Sequence, residues 1–239
     1  MNFLFDLYGT LADIKTDEEL QSLWHGFAWL LGESDSKKVK DEYLAICKEY
    51  ADSREHKFVE FDLLLVFERM LENRFTDKAK AKEVAREFRL LSRQKLRLFP
   101  CIKEILKGLK ERGAGVYLVS NAQACFTRDE ISELGIADLF DGILISSEAG
   151  VKKPHKEIFE KASKLFDISL NDCIYIGNDL HDDVLGAHGA GLKTVYIETE
   201  QSGKYPDQLL VKPDFTVDTH FEMMEILFKL AEEGRNDKC

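Results

Sequence analysis

The sequence predicts an α/β fold: a doubly wound, Rossmann-like parallel sheet with an all-helical domain inserted after its first strand. Three observations lead there. Short apolar runs rich in Val, Ile, Tyr and Phe recur along the chain, and helical patterns separate them. One long stretch near the start carries helical spacing alone. Runs of this kind mark strands buried on both faces, as in a parallel sheet.

The first predicted strand is FLFDLY (3–8). The insert follows as LQSLWHGFAWLLG, VKDEYLAICKEYA, FDLLLVFERMLENRF and AKEVAREFRLLSRQKL, whose apolar residues fall three and four apart with no evident strand. Residues 13–99 therefore read as a helical domain with Pro100 at its boundary, and residues 1–12 and 100–239 as the core. Further strands are predicted at GVYLVSN (115–121), GILISSE (142–148), CIYIGND (173–179), KTVYIET (193–199) and, more weakly, DFTV (214–217). Helices are predicted over Ile102–Arg112, Arg128–Leu134, Lys156–Phe166, Asp182–Ala190 and Glu222–Glu232. Gly113, Gly135 and Gly191 stand where helix C-caps belong. The polar end GRNDKC is expected to fray. Trp24 and Trp29 are candidates for an interface between insert and core, or between copies of the chain.

A formal net charge of −11, from 33 Lys+Arg against 44 Asp+Glu, argues against a nucleic-acid or anionic-membrane partner. It leaves room for a small anionic ligand held by local donors. Cys47, Cys101, Cys125, Cys173 and Cys239 have no CxxC spacing and read as reduced, mostly buried thiols. The start lacks a basic region before its apolar run, which Asp6 interrupts, and no stretch reaches the roughly 20 apolar residues of a membrane span. The expected location is the cytoplasm.

In doubly wound sheets ligands bind beyond the carboxyl ends of the strands. Four predicted strand ends carry unusual polar residues: Asp6; Ser120 and Asn121; Lys153; and Asn178, Asp179 and Asp183. Each alone reads as a turn, cap or solvated surface residue, and His181 as solvent-facing. Gathered at one end of one sheet, they read as a site.

In order, DLYGT (6–10), VSN (119–121), GVKKP (150–154) and GNDLHDD (177–183) resemble the four motifs of the haloacid dehalogenase-like (HAD) hydrolase superfamily. The insert resembles its C1-type cap. The resemblance implies a hydrolase in which Asp6 is the nucleophile and forms a covalent aspartyl intermediate. Thr10 and Ser120 would supply hydroxyl donors, the Gly9-Thr10 turn backbone N–H groups, and Lys153 positive charge beside Asp6. Tyr8, Gly9 and Asn121 would lie on the substrate side. The implied cofactor is Mg²⁺, held by Asp6, the backbone carbonyl of Tyr8 and an acid of the fourth motif. Asp179 is the preferred acid with Asp183 supporting or adding to it, while alignment on the glycine puts Asn178 in the ligand position.

Tyr8 stands where the family's phosphatases carry a second aspartate that protonates the leaving oxygen and activates water. A phenol with an ordinary pKa of about 10 is a poor base at neutral pH. D-x-Y-G-T resembles the L-2-haloacid dehalogenases instead, whose halide leaves without a proton. Against them, 20–43 contains no arginine, Phe159 ends KPHKEIF where those enzymes carry a tyrosine, and GNDLHDD is rich in acid. The preferred reading is a Mg²⁺-dependent phosphatase of a small phosphate ester. A dehalogenase, or a binding protein that has lost turnover, are the alternatives.

Overall fold

In the computed structural model, strand β1 (Asn2–Phe5) runs directly into the turn carrying Asp6 to Thr10. The structure describes residues 1–72, 74, 80–205 and 211–236. Next come β2 (Ala12–Thr16), α1 (Gln21–Leu30), α2 (Ser36–Asp52), α3 (Leu64–Leu71), α4 (Lys80–Ser92) and β3 (Arg93–Leu98). The rest of the chain alternates α5 (Ile102–Glu111), β4 (Gly115–Ser120), α6 (Ala124–Glu133), β5 (Gly142–Ile145), α7 (Ser146–Ala149) and α8 (Glu157–Phe166). It ends with β6 (Cys173–Gly177), α9 (Gly186–Gly189), β7 (Lys193–Ile197), β8 (Phe215–Val217) and α10 (His220–Asn236).

The main sheet has six parallel strands in the order β5-β4-β1-β6-β7-β8. The order turns back at β1, whose Phe5 pairs with Leu118 of β4 and Ile176 of β6. The C-terminal ends of β1, β4 and β6 therefore open side by side, where a doubly wound sheet places its ligand. Side chains along β1 alternate between two apolar layers. Phe3 and Phe5 pack with Ile102 and Leu106 of α5 and with Met223 and Leu227 of α10. Leu4 faces the opposite layer, with Ile158 and Phe159 of α8.

The insert is helical, as its spacing predicts, but two strands bracket it that the sequence reading lacked. β2 and β3 pair antiparallel, Ala12 opposite Leu98. Neither has the apolar run of a core strand; ADIKT and RQKLRL are held across the pair by Asp13, 2.9 Å from both Lys95 and Arg97. The third core strand is also shorter than predicted. It stops at Ile145 because Ser146 and Ser147 turn their hydroxyls to the backbones of Ala122 and Ala124 and open α7. At the far end, α10 extends through Asn236 rather than fraying at Gly234, and 237–239, with Cys239, lie outside the described residues. Gly113, Gly135 and Gly191 take positive φ as helix C-caps require. Of the described cysteines only Cys173 is fully buried; Cys47, Cys101 and Cys125 are partly so. No helix among the described residues is long and apolar enough to cross a membrane.

Within the insert, Trp24, Phe27, Tyr43, Phe67 and Phe88 form an aromatic core. Trp24 belongs to it rather than to an interface, whereas Trp29 is 82 % exposed. The cluster does not close on itself, because Phe126 of the core helix α6 completes it, stacked 6.4 Å from Phe88. Phe88 is fully buried and touches every layer of this cluster. Phe88→Ala should lower unfolding free energy by about 3–5 kcal/mol, read as a fall in the urea midpoint at unchanged slope.

Candidate active site

Asp6 leaves β1 with its backbone N–H still bonded to Ile176 O of β6, at 2.9 Å, so the sheet itself aims the residue. Asp6 Oδ1 accepts from Ser120 Oγ at 3.0 Å and from Lys153 Nζ at 2.8 Å. Asp6 Oδ2 has no hydrogen-bond partner among the described residues. Three distant segments thus meet at one carboxylate, while a fourth, β6, holds its backbone. The cleft they line has a volume of about 160 Å³ and is bordered by Asp6, Tyr8, Ser120, Lys153, Asn178 and Asp182, among others.

The Lys153 ammonium is buried and contacts three acceptors: Asp6 Oδ1, Asp183 Oδ1 at 2.7 Å and Tyr175 Oη at 2.7 Å. Burial works against its charge, but Asp183 and Asp6 outweigh it and hold the pKa above its ordinary value. An ammonium has three N–H donors, and all three are engaged. Its positive charge therefore reaches the cleft through space.

Asp183 is fully committed. Its Oδ1 takes Lys153 and Tyr175, and its Oδ2 takes the backbone N–H groups of Asn178 at 3.0 Å and Asp179 at 2.9 Å. Burial pushes its pKa up to about 6, with Lys153 pulling the other way. Asp179 caps the single π-helical turn Leu180–Leu185, its Oδ1 accepting from His181 N and Asp182 N. Its Oδ2 is approached by Tyr205 Oη at 2.8 Å. Asn178 lies against the Gly9 turn, where Oδ1 accepts from Thr10 Oγ1 at 3.1 Å. Gly9 has φ +86°, and a Cβ there would stand 2.4 Å from Asn178 Nδ2, so only glycine fits.

Two expected donors are spent elsewhere. Gly9 N–H bonds Ala12 O at 2.8 Å and Thr10 N–H bonds Leu7 O at 3.3 Å, closing the turn on itself. The N–H groups without a partner among the described residues are those of Leu7 and Tyr8. The Thr10 hydroxyl is likewise fully buried on Asn178 rather than open to the cleft. Asn121 is also a clamp: its amide spans the Lys153 backbone, accepting from N at 2.8 Å and donating to O at 3.1 Å, and reaches Asp182.

For a hard divalent cation the donor set fits. Asp6 Oδ2 and the Tyr8 carbonyl are uncommitted among the described residues, and Asn178 Oδ1 and Asp179 Oδ2 each have room for a further contact. Asp183 has none left to give, which makes it a brace for the loop.

A family model for haloacid dehalogenase-like hydrolases matches residues 1–191, most of the chain. The chain belongs to that family. A glyceraldehyde 3-phosphate phosphatase of Pyrococcus furiosus is 29 % identical over 241 residues, covering 98 % of this chain and 94 % of the relative. Among solved structures, the 2-haloacid dehalogenase of Pseudomonas syringae superposes with a TM-score of 0.67 at 20 % identity, covering 96 % of this chain and all of that one. The magnesium-bound HAD-hydrolase YfnB of Bacillus subtilis gives 0.57 at 20 % identity, over 95 % and 97 %. These two likenesses concern the fold of this HAD hydrolase.

Several neighbours of the site escaped the sequence reading. Tyr175 sits mid-strand in an apolar run and looks like core, yet its hydroxyl joins Lys153 to Val119 O. Asp182, in the run NDLHDD, reaches the cleft and pairs through Oδ1 with the partly exposed His181 Nδ1 at 2.7 Å. Tyr8 meets Glu130 and Thr127 of α6, residues that look like ordinary helix surface and interior.

The bracing of Asp183 is testable apart from activity. A Cβ on Gly177 would stand 2.3 Å from the Asp183 carboxyl, forcing it off Lys153. Gly177→Ala in this HAD hydrolase should cost about 1–3 kcal/mol of stability, visible as a lowered melting temperature.

Proposed function

We propose that the protein is a Mg²⁺-dependent phosphatase of small phosphate monoesters, working through an aspartyl-phosphate on Asp6. The supporting observation is the asymmetry at that carboxylate: one oxygen is pinned by Ser120 and Lys153 and the other is free. A carboxylate held in this way is already oriented for attack.

In the proposed cycle Asp6 Oδ2 attacks phosphorus and the bond to the leaving alcohol breaks. Water then cleaves the acyl phosphate, releasing inorganic phosphate and restoring the carboxylate. The free N–H groups of Leu7 and Tyr8 are the backbone donors for phosphate oxygens, and Lys153 lends positive charge through space. The Asp6 carboxylate, through the oxygen that does not attack, the Tyr8 carbonyl and Asn178 or Asp179 would hold Mg²⁺. When bound, the ion offsets the acidic charge that would otherwise repel a phosphate.

Position 8 narrows the substrate. The Tyr8 hydroxyl is engaged with Glu130 and Thr127, so the leaving oxygen has no acid there. Esters whose alcohols depart without a proton should therefore react fastest. The phosphatase named above as a relative carries in its name a small phosphate ester, which supports the broader class of small phosphate monoesters. The rival reading, haloacid dehalogenation, rests on Tyr8 in D-x-Y-G-T, and it calls for no cation.

With Mg²⁺, 4-nitrophenyl phosphate should be hydrolysed, and Asp6→Asn should lower the rate at least about a thousandfold. EDTA should have a comparable effect. Chloride release from 2-chloropropionate in EDTA, without phosphate release from the aryl ester, would replace this reading with the dehalogenase.

A further inference from the structure

The ring and the hydroxyl of Tyr8 have different neighbours. The ring borders the cleft, whereas the hydroxyl meets the Glu130 carboxylate, with Thr127 Oγ1 3.0 Å away. Glu130 lies on α6 and is only 2 % exposed. A carboxylate so buried requires cationic partners, and the insert supplies them. Arg89, in the last turn of α4, donates Nε to Oε1 at 2.7 Å and Nη2 to Oε2 at 3.2 Å. Arg93, the first residue of β3, approaches Oε1 at 3.4 Å. The Arg89 guanidinium also lies 5.1 Å from the Phe126 ring and 6.0 Å from the Tyr8 ring. One buried carboxylate therefore joins the turn after β1 to the place where the insert returns to the core.

We propose that Glu130 is a positioning residue for the cleft: it draws the Tyr8 hydroxyl away from the reacting atoms and, through Arg89, ties the segment bearing Asp6 to the insert. A hydroxyl has one proton to donate, and here it points into the seam. What position 8 contributes is a fixed aromatic wall, and any displacement of α4 is felt two residues from the nucleophile. The competing role for the same atoms is a relay, in which Tyr8 protonates the leaving group and Glu130 restores its proton.

The inference rests on the hydrolytic reading of the cleft, so one arm of its test needs no turnover. In the full-length protein, Tyr8→Phe and Glu130→Gln should each speed hydrogen exchange of α4 amides by roughly fivefold, and the double variant should go no further. Unchanged exchange in both single variants would overturn the tie. In the second arm, with Mg²⁺ and 4-nitrophenyl phosphate, each variant should lower kcat/KM roughly tenfold, mainly through KM. Both limbs of the pH profile should stay in place. Loss of a limb in Tyr8→Phe would instead establish the relay and overturn the positioning role. Glu130→Asp, which keeps the charge but withdraws it from Tyr8, should reproduce the loss if the glutamine variant fails to fold. Absence of hydrolysis in the wild type would remove the phosphatase reading while the exchange arm still decides the tie.

Discussion

The Lys153 ammonium, enclosed by Asp6, Asp183 and Tyr175, is the interaction on which the rest of the cleft depends. A buried cation is tolerated only with its charge and its hydrogen bonds matched, and losing one partner costs about 3–5 kcal/mol. That requirement reaches outward through the chain. β1 must lie between β4 and β6 for Asp6 and Tyr175 to flank the same point. The loop after β6 must make its π turn for Asp183 to fold back beneath its own backbone. Asn121 must grip the Lys153 main chain, because a long side chain aimed from a loose loop would not settle there.

The insert is fastened to the core next to the same residues. Besides the Glu130 seam, Gln123 accepts from Leu63 N and donates to Phe61 O, three residues past Ser120. Val59 forms an antiparallel bridge with Val151, and Lys152 N bonds Phe58 O, just ahead of Lys153. The Tyr8, Gln123 and Val151–Lys152 ends of these attachments each sit within three residues of a side chain that contacts Asp6, or of Asp6 itself. Seating of the insert and geometry of the cleft are mechanically linked.

Much of this was legible in the sequence, for identifiable reasons. Apolar runs such as VYLV and IYIG announce strands buried on both faces, and polar residues at their ends announce the cleft. β2 and β3 were hidden because cross-strand charge pairs, such as Asp13 with Arg97, leave no apolar signature. The Gly9-Thr10 turn looked like an anion donor because sequence does not tell where a backbone N–H points. Glu130 and Arg89 sit at positions typical of solvated helix surface, and only the packing of α4 on α6 turns them into a buried pair. Spacing identifies a residue's own element readily; partners contributed by another element it cannot reveal.

The aromatic core of the insert borrows one ring, Phe126, from the core helix α6. Lifting the insert straight away from the sheet would expose that ring and the faces of Phe67 and Phe88 to water together.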